Sequence, residues 1–575
     1  MRFTKYIKPY LAFVLAAPIC MVGEVTFDLL QPKLMSKIVD VGVLGGDMEY
    51  LIKTGILMLV TIVIGGCCGS ASAAFAGVAS QSFSRDIRND LFTKVMRLSF
   101  QQTDKFTTGS LITRITADVT ALQQMLDMLI RNCVRNVIMF TGGIIMMLSL
   151  DVSFGTVIAA ALPVEALIVV LIMRRANPLY EVVAGKLDDV NTVMQENVSG
   201  ARVVKAYVRE KSETERFEAA NMGLTGANLR VQKLLALMMP LLMIIMNMSV
   251  LAVIYIGGHL AEAKDMKVGE VMAAVTYLTQ VLHGIMMLSM MFQTMSRAAA
   301  SAKRINEVLS TEPAVNGAES VPETTERGTV CFKNVTFAYP SSSGIPVLSD
   351  IDIEIKQGEN IAILGATGSG KSSLVGLIPR FYDPDEGEVL VDGVNVKDYP
   401  LDELRRRVGI VLQKSELFSA TAAENIRWGK DDATDEEIRE AALLAQADDF
   451  ISAMPDGYNS MIAEKGASLS GGQKQRMSIA RAAVRKPEIL IFDDSTSALD
   501  LGTEARLRAA MNEKLKGTTV ITIAQRISSV KNCDRIIVLD GGRIVGCGTH
   551  DELLTGCETY RDICSSQMKT DGGED

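Results

Sequence analysis

The sequence predicts a two-part protein: an all-α transmembrane domain of six helices over residues 1–310, then an α/β domain over 329–566 built round a phosphate-binding loop. Three observations predict it. Apolar residues concentrate in residues 1–300, in six runs long enough to cross a bilayer, which takes about 20 residues. NIAILGATGSGKSSLVGLI (360–378) reads as apolar strand, glycine-rich loop and helix. ILIFD (489–493) reads as a second buried strand ending in an aspartate.

A chain of 575 residues exceeds what one compact core organises. It combines 48% hydrophobic residues and a mean hydropathy of +0.23 with 22% charged residues. That mixture resolves by position, with the charge lying mostly in the second half. A net charge of −9 excludes a nucleic-acid binder that relies on phosphate contacts. Nine cysteines without a CxxC pair give no disulfide framework and no zinc site, so the thiols are expected to be reduced. The first apolar stretch lacks a small-residue cleavage site, so no cleaved signal is expected.

The expected spans are 10–31, 53–79, 130–150, 153–173, 236–260 and 268–292, all helical because lipid satisfies no backbone polar group. The links 40–52, 151–152 and 261–267 are short and poor in cations. Those at 84–97 and 173–190 are long and charged, which places them and both termini in the cytosol. Ionisable residues within spans are costly and mark function or helix pairing. Glu24 and Asp28 share a helix face, as do Arg131 and Arg135, and Glu165 lies at the depth of Glu24 and Arg135. Two readings stay open: an Arg–Glu pair that holds helices together, or an acidic patch for cationic substrates.

Residues 311–328 are polar, with two prolines and two glycines, and read as a linker; 567–575 read as a polar tail. In the loop, Gly365, Gly368 and Gly370 let backbone N–H groups approach phosphate, and the following helix offers its positive end. Lys371 would reach the β/γ-phosphates and Ser372 would ligate Mg2+. Ala366, Thr367, Ser369 and Ser373 complete the stretch.

With LSGGQ at 469–473 and ILIFDDSTSALD at 489–500, this set resembles the nucleotide-binding domain of ABC transporters, a P-loop ATPase with a helical subdomain. The six spans resemble the family's exporter-type transmembrane domain. The resemblance implies roles. Tyr339 would stack on adenine. Gln413 would sense Mg2+ or the attacking water. Asp493 would hold Mg2+. Ser470, Gly471, Gly472 and Gln473 would bind the γ-phosphate held by another subunit. Segments 106–119 and 196–217 would carry coupling helices that dock on the ATPase domains. SMIAEKG (460–466) resembles the exporter X-loop, with Ala463 where glycine is usual.

Two positions depart from the family. Asp494 stands where a catalytic glutamate is usual, about 1.5 Å shorter in reach. Gln525 stands where a switch histidine is usual, and an amide cannot become a cation. The resemblance therefore implies the degenerate-site subunit of a heterodimeric multidrug exporter in a plasma membrane. The partner would be a second half-transporter carrying the missing Glu and His. ATP and Mg2+ would be the cofactors, and an amphiphilic, drug-like compound amid membrane lipids the cargo. A homodimeric lipid or peptide exporter and a regulatory ATP-binding subunit of a channel-like complex remain the alternatives.

Overall fold

The computed structural model describes residues 3–571 other than 264, 325, 341–343 and 498, so part of the predicted tail, 572–575, lies outside the described residues. The chain divides into two compact units, residues 1–96 with 109–311, and residues 97–108 with 312–575.

Among the described residues of the first unit five helical stretches are long and apolar enough to cross a membrane: Thr4–Val43, Met48–Arg97, Thr108–Leu150, Phe154–Ser199 and Glu210–Glu262. The first five predicted spans fall on these, one each. The sixth, 268–292, falls on helix Val268–Ser310, where the side chains of 285–290, 292 and 293 are not described. At 1.5 Å per residue the longer helices extend well past a hydrocarbon core of about 30 Å. Buried faces of the first, third, fourth and fifth stretches meet helix Val268–Ser310 in a cluster that includes Met21, Val25, Met147, Phe154, Val253 and Tyr277. The Tyr277 hydroxyl donates to the Leu29 carbonyl at 2.8 Å, which gives a buried polar group its partner.

The expected ionic pairs form only in part. Arg135 donates to Glu24 Oε1 at 2.6 Å and to Asp28 Oδ2 at 3.0 Å, one guanidinium fork joining two carboxylates a turn apart. Arg131 does not join them; its nearest carboxylate is Asp127 at 3.9 Å. The reason is a π-helical turn over Leu129–Cys133, which breaks the spacing that would align Arg131 with Arg135. Glu165 is buried apart from this group, with Oε2 unbonded among the described residues.

The described residues of the second unit form ten strands: β1 Val330–Phe337, β2 Leu348–Ile355, β3 Asn360–Leu364, β4 Glu386–Val391, β5 Val394–Asn395, β6 Val408–Val411, β7 Ile489–Asp493, β8 Thr519–Ile523, β9 Arg535–Asp540 and β10 Arg543–Gly548. One sheet has order β2-β1-β4-β5 and is antiparallel. The other has order β10-β9-β3-β8-β7-β6, with β6, β7, β8, β3 and β9 parallel. Strands buried on both faces read as unbroken apolar runs, and β7 (ILIFD) is buried at every residue. Helices Ala422–Arg427, Asp435–Leu444 and Gly471–Ala483 share a second buried cluster with Val411, Leu490 and Phe492 of the sheet.

Residues 97–108 belong with this second unit, although the sequence assigns them to the membrane domain. Helix Phe100–Phe106 starts at a capping box formed by Ser99 and Gln102. Phe100 packs on Phe381 at 4.4 Å between ring centroids, and Asp104 accepts from the Tyr382 hydroxyl at 2.7 Å. The docking element thus lies just upstream of the predicted 106–119. Helix Ala201–Ala206, within the predicted 196–217, has no buried residue and is followed by exposed Tyr207 and Val208.

Candidate functional site

In the parallel sheet β3 and β7 both neighbour β8, so three loops leave adjacent strands at the same edge: 365–370 after β3, 494–500 after β7 and 524–526 after β8. That is where an open α/β sheet binds ligands, and the topology alone brings most of the predicted residues together.

The first loop is set by its glycines. Gly365 has φ +155°, and a Cβ there would lie 2.1 Å from the Leu539 carbonyl oxygen. Gly370, at φ +96°, precedes helix Lys371–Leu377. Between them Ala366, Thr367 and Gly368 form an exposed crest, and Ser369 is buried beneath it, its hydroxyl without a partner among the described residues. Lys371 Nζ donates to the carbonyls of Gly365 and Ala366, both at 2.8 Å, so the ammonium lies over its own loop. Burial pulls this ammonium below its usual pKa, against the opposing pull of Asp494 and Asp493.

Ser372 donates to Asp493 Oδ1 at 2.7 Å. Burial pushes the Asp493 carboxyl above the usual range, and the Ser372 hydrogen bond works the other way. A hydroxyl and a carboxylate that converge are hard oxygen donors of the kind Mg2+ takes alongside phosphate and water. The donor set therefore fits that ion.

Asp494 is buried and has φ +48°, a region that aspartate tolerates better than most residues. Its Oδ2 accepts from Gln525 Nε2 at 2.7 Å and from Gln413 Nε2 at 3.3 Å. The two departures from the family pattern thus touch each other, and Gln413 meets the same oxygen. The Asp494 backbone is held by its N–H to Ile523 and by Ser497 Oγ on its carbonyl.

Tyr339 is half-buried beside the loop, its hydroxyl 2.9 Å from Ser373 Oγ. Its ring meets Phe337 and Tyr382 edge-on at 5.0 and 5.3 Å. Ser470 caps helix Gly471–Ala483. Its hydroxyl accepts from Gln473 N–H, and Gln473 Oε1 accepts from Ser470 N–H at 2.9 Å. Ser470 and Gly471 are exposed. Ala463 takes φ −66°, ψ 160°, ordinary extended backbone, so alanine replaces the usual glycine there without strain.

Sequence reasoning missed Phe100, Asp104 and Gln567. Ser99 followed three residues later by Gln102 was a readable helix start; nothing local signalled Gln567, which reaches the 525–527 loop from the last helix.

Comparison with known proteins agrees with this layout. Residues 14–286 match the family described as ABC transporter transmembrane region, and residues 348–497 match ABC transporter. The chain is similar to the uncharacterized ABC transporter ATP-binding protein YfiB of Bacillus subtilis, 39% identical over 569 residues and 99% of each chain. It is similar to the ATP-dependent lipid A-core flippase of Chromobacterium violaceum, 31% identical over 99% of this chain and 97% of that one. It also resembles the solved structure of a bacterial Atm1-family ABC exporter with ATP bound, with TM-score 0.82 and 28% identity, covering 97% of this chain and 99% of that one.

Proposed function

Because the chain belongs to the ABC transporter family, as an exporter-type half-transporter with fused transmembrane and ATPase regions, we propose that it is one subunit of a heterodimeric exporter. Its own ATP site binds tightly and hydrolyses slowly. Its intact signature, Ser470–Gln473, completes the faster site of its partner. Six spans, a helical subdomain, a cytosolic ATPase region and a plasma-membrane location belong to the same reading. The cargo class is amphiphilic, drug-like compounds moved outward by alternating access.

The observation that carries the reading is the Asp494–Gln525 contact. A general base must reach the water it polarises. Asp494 is a methylene short, and misplacement by about 1 Å costs on the order of a hundredfold in rate. Gln525 adds hydrogen bonding but no positive charge for the γ-phosphate. Loop 365–373 with Lys371 would cradle the phosphates, and Ser372, Asp493 and Gln413 would hold Mg2+. The ion would neutralise charge on the β- and γ-phosphates.

A second reading, a homodimeric lipid exporter, draws support from the complete phosphate loop (365–372) and LSGGQ (469–473) in one chain and from the similarity to a lipid A-core flippase. One assay separates the two. ATP turnover of the purified chain in nanodiscs is measured for wild type and for Asp494→Glu with Gln525→His. The heterodimer reading expects negligible wild-type turnover with ATP bound, and a rise of tenfold or more, about 1.4 kcal/mol of barrier, in the double variant. Brisk wild-type turnover that Lys371→Ala abolishes would establish the homodimer instead.

A further inference from the structure

The last helix, Glu558–Asp571, runs through the expected domain boundary at 566 and reaches the loop that carries Gln525. Tyr560, Cys564 and Gln567 are spaced i, i+4, i+7 and share one face. Tyr560 is fully buried, with its hydroxyl 2.6 Å from His550 Nδ1. Cys564 is buried in the same cluster as Val530, Ile536 and Val538. These contacts fix the face of the helix, and Gln567 follows one turn later.

The Gln567 amide bonds in both senses. Its Oε1 accepts from Ile527 N–H at 2.9 Å, and its Nε2 donates to the Gln525 carbonyl at 2.7 Å. One side chain therefore brackets the backbone from 525 to 527. Neither a carboxylate nor an ammonium could replace it, because the loop presents one donor and one acceptor. From the same backbone the Gln525 side chain reaches Asp494 Oδ2 at 2.7 Å. Gln525 is itself exposed, so its reach depends on where its backbone is held.

We propose that Gln567 is a positioning residue for this chain's ATP site: by pinning residues 525–527 it sets the reach of Gln525 toward Asp494, and so makes the C-terminal helix a determinant of ATP turnover. This rests on the reading that Lys371 through Asp494 form an ATP site. It does not require that site to be slow.

The test uses the full-length chain in nanodiscs and reads single-turnover hydrolysis of MgATP, the Kd for ATP, and hydrogen exchange of the peptide covering 525–530. The variants are Gln567→Ala and Gln567→Met, the second keeping the length and packing of the side chain while removing both hydrogen bonds. Both are expected to slow the single turnover about tenfold, leave Kd within about twofold, and speed exchange in 525–530, since a loosened group pays in geometry rather than in affinity. Wild-type rates for Gln567→Met, or unchanged exchange, would overturn the proposal. The wild-type rate constant by itself decides whether the site is slow, so the two readings can fail separately.

Discussion

Two halves of one site behave differently. The half proposed to bind ATP is built from backbone and sheet: the 365–370 loop on β3, Lys371 on two of that loop's own carbonyls, and Ser372 on Asp493 at the end of β7. The half proposed to cleave it is built from side chains. Gln525 and Gln413 converge on one carboxylate oxygen of Asp494, and Gln567 holds the backbone of 525–527 from outside. Both departures from the family pattern lie in the second half. A backbone cradle fixed by steric closeness admits few substitutions. Side chains that meet at their tips can be exchanged while the fold persists, so binding and turnover can be separated.

The most severe way to break this contrast is Gly365→Ala. Its Cβ would fall 2.1 Å from the Leu539 carbonyl oxygen, a backbone atom of β9, and 2.7 Å from Ser369 Oγ, so even if the serine turned away the backbone would have to shift. We expect a loss of stability on the order of 4 kcal/mol and loss of ATP binding, read by thermal unfolding and ATP titration. Near-normal binding in that variant would show that the cradle is not set by the backbone.

Asp494→Asn sharpens the contrast from the other side. Asparagine tolerates the +48° φ of this position and preserves its volume, so the fold and ATP affinity should be retained. Turnover should fall by about a hundredfold in single-turnover assays, the range ascribed to a lost general base. A parallel loss of ATP affinity would mean that the two halves are not separable.

The binding half was legible in the sequence because each of its parts is local: an apolar strand, a glycine loop and a helix that follow one another. β7 was legible for the same reason. What failed was set by partners distant in sequence. The docking helix at 100–106 was misplaced by several residues because its anchors, Phe381 and Tyr382, lie some 280 positions on. Arg131 was grouped with Arg135 on helical spacing that a π-helical turn interrupts. Residues from 567 onward read as a polar tail because their sequence is polar, while the helix that carries Gln567 is anchored upstream by buried Tyr560 and Cys564. Gln525 and Asp494 were singled out one at a time from the sequence; that they touch follows from β7 and β8 being neighbours.

Ala463 supplies the weakest and most discriminating prediction. The family pattern has glycine there, and a reader of sequence alone would mark the position as impaired. The backbone is extended, at φ −66° and ψ 160°, so alanine meets no steric objection. Glycine would gain nothing in the folded chain and would add freedom to the unfolded one. Ala463→Gly should therefore lower stability by about 0.4–1 kcal/mol, seen as a small fall in Tm, and leave ATP turnover unchanged. If instead it raised turnover, a glycine-specific conformation would have to form there during the cycle. The rate proposed to be set at Asp494 and Gln525 would then depend on the 460–466 loop as well.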